Sequence, residues 1–361
     1  MPVPHLYHSK RVFLHTSDKE RNPTGDTGRS GNAIVVEELT RKFADLTAVD
    51  HVSFTVPTGE LFGLLGPNGA GKTTILNMLT TLLSPTSGKA TVAGYDIVRE
   101  RNEVRRHIGV VFQEPALEPS LTGRENLDFH AMMYGIKKAE RDRRIGEILS
   151  LIELEEKSGV LVENYSGGMR RRLEIGRGLI HRPTVLFLDE PTLGLDAQTR
   201  RKIWEYVKKM NQETDVTIIL TTHYMDEADY LCERIAIIDH GSFVAMDTPA
   251  NLKDVMGGDV ITLEVEDPGT AEAEHFRAMP WVHQVLTHDH QIVLTVEFGE
   301  KRVPELISHA QEHGLKILSV SLHKPSLEDV FLQFTGKSIR EHEVSHAESI
   351  RQTVTRRVRR R

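Results

Sequence analysis

A nine-residue stretch, Gly66-Pro67-Asn68-Gly69-Ala70-Gly71-Lys72-Thr73-Thr74, leaves this chain few folds to choose from. It fits the pattern G-x-x-x-x-G-K-[ST], and its flanks are the required ones. An apolar run, Leu61 to Leu65, enters it, and a helical pattern, Thr74 to Leu83, leaves it. Glycines let successive backbone N–H groups turn inward around a polyphosphate. The helix N-terminus adds a partial positive charge. Lys72 is then placed to reach the β- and γ-phosphates, and the Thr73 hydroxyl to ligate Mg²⁺. A strand, a phosphate-binding turn and a helix in that order imply an α/β fold with a nucleotide at the carboxyl edge of a parallel sheet.

A second signal fits the same edge. Val185-Leu186-Phe187-Leu188 is an apolar run that ends in Asp189 and Glu190. Ligands of parallel sheets bind beyond the carboxyl ends of the strands, so both acids should stand beside the phosphate loop. Asp189 suits the metal, through water, because Mg²⁺ dehydrates reluctantly. Glu190 suits a general base that orients or deprotonates an attacking water.

The rest of the chain divides by pattern. Residues 1–32 are polar, turn-rich and without apolar periodicity, as a flexible tail would be. Their histidines His5, His8 and His15 match no ligand spacing. Residues 33–257 alternate strands and helices, with Thr184 to Leu188 and Val216 to Thr221 reading as buried parallel strands. Thr199 to Asn211 between them has helical spacing through Ile203, Tyr206, Val207 and Met210. Residues 115–165 hold helical patterns and little strand signal, so a helical insertion is expected there. From 258 to 337 the order reads β-α-β-β-α-β, a small α+β ferredoxin-like domain. Ser326 caps a last helix with Leu327, Val330, Phe331 and Phe334 on one face, and Gly336 can end it. Residues 338–361 are polar, and 351–361 hold six arginines and no acid.

Composition excludes several classes. The 361 residues carry 45 basic and 52 acidic side chains, a formal charge of −7, so no nucleic-acid partner is expected. A lone cysteine, Cys232, rules out an internal disulfide and any multi-cysteine metal site, and fits a reducing compartment. No apolar stretch approaches the ~20 residues of a membrane helix, and none at the N-terminus reads as a signal peptide. The expectation is a soluble, cytoplasmic chain whose action at a membrane requires a separate spanning partner.

Four further elements carry a family resemblance. Tyr165-Ser166-Gly167-Gly168-Met169-Arg170, with Ser166 lying 23 residues before Asp189, resembles the signature of ABC-type ATPases. Gln113, in Val110-Val111-Phe112-Gln113-Glu114, resembles their Q-loop. His223, in Leu220-Thr221-Thr222-His223, resembles their switch histidine, and Gly194-Leu195-Asp196 resembles the D-loop. All stand in the family's order within 33–257. The signature departs from the commonest form at both ends, with Tyr165 for Leu and Met169 for Gln. Tyr165 to Leu173 is similar to the daunorubicin-resistance branch, exporters of drugs and lipo-oligosaccharides. Pro325 to Phe331 resembles the C-terminal end of that branch, which also carries a small domain after its ATPase core.

The resemblance implies a P-loop ATPase core and a set of roles. Gln113 would offer its carbonyl to Mg²⁺ and sense a membrane partner. His223 would donate to the γ-phosphate of ATP. Ser166, Gly167 and Gly168 would bind the γ-phosphate held by a second subunit, with Asp196 nearby, so two chains would pair head to tail as a homodimer. Phe43 matches the adenine-stacking aromatic, though a core role fits it nearly as well. Function would be ATP hydrolysis powering export of a drug-like or lipid-like substrate through an integral membrane permease, at the cytoplasmic face. The alternative is a non-transport ABC ATPase acting on DNA or ribosomes. The first of these needs a long coiled coil, and only 94 positions separate Lys72 from Ser166. The second needs two cassettes, and this chain has one. The arginine-rich end could meet anionic lipid or remain solvated.

Overall fold

The computed structural model describes residues 31–266, 275–288 and 290–335. The expected tail up to residue 30, the turn at Asp289, Gly336 and the arginine-rich end lie outside the described residues. The chain divides into two compact units between Phe243 and Val244.

The first unit opens with two long strands, β1 (Asn32–Phe43) and β2 (Leu46–Pro57). Along β2, buried Val52, Phe54 and Val56 alternate with exposed His51, Ser53 and Thr55, the period of a half-buried antiparallel strand. With β4 (Ser87–Val92) and β5 (Tyr95–Asp96) they form a four-stranded sheet ordered β2-β1-β4-β5. Phe54 stacks on Phe62, ring centroids 5.4 Å apart, and so packs this sheet against the next one.

That second sheet holds β3 (Leu61–Leu65), β6 (Ile108–Val111), β7 (Val185–Asp189), β8 (Thr217–Thr222), β9 (Arg234–Asp239) and the edge strand β10 (Ser242–Asp247). Its order is β10-β9-β3-β8-β7-β6, and every junction from β9 to β6 is parallel. β3, β7 and β8 are buried at every position, which is why their sequences are apolar but for Gly63, Asp189 and the threonines of β8. The order matters for the site. The strand that enters the phosphate loop has for its successive neighbours the strand before His223, the strand ending in Asp189 and the strand before Gln113. Register makes the alignment firm: Leu65 pairs with Thr222, Asp189 with Thr221, and Val111 with Leu188.

Helices cover this sheet. α1 (Lys72–Leu79) follows β3, α5 (Gly167–Leu179) precedes β7, and α6 (Ala197–Thr214) follows it. α6 buries Ile203, Tyr206, Val207 and Met210, the face its spacing predicts. Between β6 and α5 stand α3 (Gly123–Met133) and α4 (Lys138–Leu151), with α2 (Arg101–His107) ahead of β6. A reciprocal cap fixes the start of α3: Thr122 accepts from the Glu125 N–H, and Glu125 accepts from the Thr122 N–H.

The second unit pairs β11 (Asp259–Val265), β12 (Val282–His288), β13 (Gln291–Val296) and β14 (Ile317–His323) in the order β12-β13-β11-β14, all antiparallel. Fourth, first, third, second is the strand order of a ferredoxin-like sheet. Its core holds Ile261, Leu263, Phe276, Leu294 and Leu306. A later helix, α7 (Gly299–Glu312), supplies Leu306, and α8 (Leu327–Thr335) closes the unit. Ser326 caps α8: its Oγ accepts from the Asp329 N–H at 3.3 Å, while Asp329 accepts from the Ser326 N–H at 2.8 Å. Leu327, Val330 and Phe331 are buried on its face and Phe334 is half-buried.

Candidate functional site

The phosphate loop is shaped by backbone rather than side chains. Gly71 caps α1 with φ of 111° and offers no side-chain cap, so the first N–H groups of the helix are left for another acceptor. A Cβ at Gly66 would stand 2.2 Å from the Ile238 carbonyl oxygen, and one at Gly71 2.6 Å from that of Ala48. Both positions therefore require glycine. Lys72 opens the helix, 5% exposed, and donates to the carbonyls of Gly66 at 2.6 Å and Pro67 at 3.2 Å. Its ammonium also stands 3.2 Å from Glu190 Oε1.

Glu190 and Asp189 meet the loop from β7. The Thr73 hydroxyl donates to Asp189 Oδ1 at 3.3 Å, and the Thr221 hydroxyl, on β8, donates to the same oxygen at 2.5 Å. Burial pushes the Asp189 carboxyl above its ordinary value, held back by the Thr221 hydrogen bond and raised again by Glu190. Glu190 turns off the strand in the left-handed region, φ 47°, with its N–H bonded to the Thr221 carbonyl. Its Oε2 lies 2.8 Å from His223 Nδ1. Burial alone would raise Glu190, but the His223 hydrogen bond and the Lys72 ammonium outweigh it, so the carboxyl sits below its ordinary value. Tyr224 covers His223, centroids 4.0 Å apart, and the Arg200 guanidinium lies 4.0 Å over Tyr224.

Lys72, Thr73, Asp189, Glu190 and His223 are thus brought together in one cluster, in which Lys72, Asp189 and Glu190 are buried, His223 is half-buried and Thr73 is exposed. Gln113 stands two residues past β6, next to the Asp189 strand. Asn68, Gly69, Ala70 and Thr74 complete the loop and the first turn of α1. Phe43 lies at the end of β1, 42% exposed, with the Arg41 guanidinium 4.5 Å over its ring, so it is not a core residue.

The signature turn is built elsewhere. Ser166 caps α5 by accepting from the Met169 N–H at 3.3 Å. Gly167 and Gly168 face Leu195 and Thr199, where a Cβ on Gly168 would approach the Thr199 methyl to 2.7 Å. Asp196 caps α6, accepting from the Thr199 N–H at 2.9 Å and the Thr199 hydroxyl at 2.6 Å. Those hydrogen bonds lower its pKa. None of these residues bonds to the phosphate loop. The tyrosine in place of leucine has a local reason. The Tyr165 hydroxyl donates to the Lys157 carbonyl at 2.6 Å, and only glycine at 123 leaves room for it, since a Cβ there would lie 2.3 Å from that oxygen.

Two families of contacts escape a reading of the sequence. Thr221 holds Asp189 and the Glu190 backbone from a strand whose pattern reads as buried and gives no sign of a polar role. Arg171 reaches the Asp189 carbonyl from α5, yet it sits inside the run Arg170-Arg171-Arg172, which looks like a solvated face. A charge on the inward side of an otherwise apolar helical pattern, with Leu173 and Ile175 beside it, was the available signal.

Comparison with known proteins agrees with this geometry. Residues 49–193 match the family described as ABC transporter, and residues 248–335 match the C-terminal domain of DrrA1-3-like ATP-binding proteins. The linearmycin resistance ATP-binding protein of Bacillus subtilis is 41% identical over 84% of this chain and 99% of its own length. The chain belongs to the ABC transporter ATP-binding proteins. As a member of that family it is an ATPase subunit of a transporter, and its branch is the drug-resistance one. A daunorubicin resistance ATP-binding protein of Streptomyces coeruleorubidus is 37% identical over 88% of this chain and 99% of its own. Among solved structures, an ATP-binding cassette dimer in a post-hydrolysis state with ADP and Pi is similar at TM-score 0.53 and 30% identity, covering 60% of this chain and 98% of that one. The cbiO1 protein of Clostridium perfringens, part of an ABC transporter complex, is similar at TM-score 0.59 and 28% identity, covering 63% and 93%. Among the described residues no helix is long and apolar enough to cross a membrane.

Proposed function

We propose that this ATPase subunit powers export of a drug-like or lipid-like molecule through a separate membrane permease, with Glu190 as the base of hydrolysis. One observation carries the catalytic part: a buried carboxylate, Glu190, lies between Lys72 at 3.2 Å and His223 at 2.8 Å, at the mouth of the phosphate loop. When a polyphosphate fills the loop, Lys72 exchanges Glu190 for phosphate oxygens, and Oε1 becomes free to accept from water. His223 holds Oε2 through Nδ1, which fixes the carboxylate and leaves Nε2 for the γ-phosphate. A carboxyl held below its ordinary value stays ionised, and orients water more than it strips a proton in the ground state.

Asp189 and Thr73 fit Mg²⁺. Their oxygens are hard donors 3.3 Å apart at the start of α1, and the raised pKa of Asp189 marks a buried carboxyl whose charge a cation would compensate. Held there, Mg²⁺ would supply positive charge against the negative charge of the phosphates. Gln113, next to the same strand, would offer its carbonyl to that ion. Phe43, exposed at the end of β1, would stack on the adenine in place of water.

The Ser166–Gly168 turn faces outward, which supports a second copy of the chain as the owner of the γ-phosphate it binds. Asp196 then sits at the seam between copies. Two chains pair head to tail and make two sites. Beside Phe112 a cleft of about 270 Å³ is lined by Leu82, Val110, Tyr134 and Arg177. Phe129, Met132 and Met133 on α3 are 56%, 47% and 70% exposed. An apolar patch of this kind suits a permease helix end, and docking there keeps the chain at the cytoplasmic face of the membrane. Resistance to linearmycin and daunorubicin, named in its relatives, supports a drug-like cargo.

The test is capture. Tagged Glu190→Gln, extracted from membranes in mild detergent with ATP and Mg²⁺, should bring down a polytopic membrane protein. Recovery of ribosomes or DNA with no membrane protein would overturn the export reading.

A further inference from the structure

Arg171 lies on α5, five residues past Ser166 and 7% exposed, and its guanidinium is fully committed. Nε donates to the Pro191 carbonyl at 2.6 Å, and one terminal nitrogen to the Asp189 carbonyl at 3.1 Å. The other terminal nitrogen donates to the Phe112 carbonyl at 2.8 Å and to Glu174 Oε2 at 3.0 Å. Glu174, 3% exposed, accepts the Ala116 N–H on Oε1 at 2.8 Å. One buried ion pair therefore ties segment 112–116, which contains Gln113, to segment 189–191, which contains Glu190. Both are held to the helix that begins at Ser166.

The placement is costly to explain by stability alone. A buried ion pair seldom stabilises more than well-packed apolar residues of the same volume. Three of the four acceptors are main-chain carbonyls, so the guanidinium fixes where the backbone runs rather than what it carries. Only a planar fork reaches all four; a lysine ammonium at 171 keeps the charge and loses the span. We propose that Arg171, oriented by Glu174, is a positioning residue that sets the Gln113 and Glu190 segments at one mutual distance, and so holds the Glu190 carboxylate in line for hydrolysis. The inference rests on Glu190 as the base.

The test uses the full chain with ATP and Mg²⁺, and a fluorescent ATP analogue to measure binding. For Arg171→Lys, kcat should fall at least about tenfold while the analogue's Kd changes by less than about threefold, since a misplacement near 1 Å can cost ~100-fold in rate. Amide exchange should rise in both 112–117 and 189–193. Glu174→Gln should show the same exchange pattern with a smaller fall in kcat, and it carries the test if Arg171→Lys does not fold. Arg172→Lys, whose nitrogen donates instead to the Ile152 carbonyl at 2.9 Å, should keep kcat within about twofold as the control. An Arg171→Lys protein with unchanged kcat overturns the positioning role. So does one in which kcat, affinity for the analogue and melting temperature fall together with exchange raised throughout the first unit. An inactive wild-type chain overturns the Glu190 assignment itself, and this inference with it.

Discussion

Two helices of this chain open on glycine-rich turns, and they are finished differently. α1 begins at Gly71 with no side-chain cap, and its first residue, Lys72, is buried among carbonyls and carboxylates. α5 begins at Ser166, which caps it, and Ser166 and Gly167 are exposed. An uncapped N-terminus enclosed by charge is a site within one chain; a capped and exposed one is half of a site. The difference is the physical reason for proposing that ATP joins two copies.

The largest effect should come from the enclosed turn. Glu190→Gln should lower ATP turnover by at least about 100-fold in a phosphate-release assay, the low end of what a positioned acid or base supplies. Its binding of an ATP analogue should survive, because the loop glycines and Lys72 are untouched. Normal turnover in that variant would break the assignment of the base. Paired substitutions sharpen the contrast next. Gly71→Asp should abolish ATP binding outright, since a Cβ there meets the Ala48 carbonyl at 2.6 Å in a left-handed conformation. Gly167→Asp has room, with its nearest atom at 3.4 Å. It should leave binding intact and weaken ATP-driven dimerisation at least about tenfold, or 1.4 kcal/mol, by light scattering in the Glu190→Gln background. Loss of binding in both would erase the distinction between the two turns.

The contrast continues along α5 itself, whose far end is buried. Burial, with Arg177 adding to it, holds His130 down to about 4, and burial likewise holds His181 to about 4. Both rings are neutral in the folded chain, while the unfolded chain protonates near 6.5. Stability should therefore be full above pH 6.5 and fall as pH drops toward 4, by roughly 1–3 kcal/mol per ring after solvent screening. Urea unfolding at pH 7 and pH 5 measures the drop, and His130→Phe should remove about half of it. The smallest effect is local: Tyr165→Phe should cost about 1 kcal/mol through its lost bond to Lys157, with turnover unchanged within about twofold. A large fall in turnover would mean that the signature tyrosine acts beyond its own loop.

Much of this was legible in one dimension because it depends on local requirements. A phosphate loop needs its glycines and lysine at fixed spacing, and fully buried strands must read apolar throughout, so Leu61–Leu65 and Val185–Asp189 announce themselves. The four strands of the second unit were legible as well. Phe43 was ambiguous, because an aromatic at a strand end reads alike inside or outside; at 42% exposure it is outside. The antiparallel pair β4 and β5 carried too little apolar pattern to be seen, with most of Ser87–Val92 exposed or half-buried.

By itself, then, the sequence determined the groups available: a glycine-rich phosphate loop with its lysine, two carboxylates at a strand end, a histidine and a second glycine turn, each encoded by neighbours a few residues apart. The tertiary structure decided which of these face one another. Strand order β3-β8-β7-β6 places Lys72, His223, Glu190 and Gln113 at the ends of successive strands although up to 151 positions separate them. Burial gave Arg171 its four partners, Asp189 its raised pKa and Glu190 its lowered one. Those depend on distance through space and on exclusion of water, and neither quantity is carried by the order of residues along a chain.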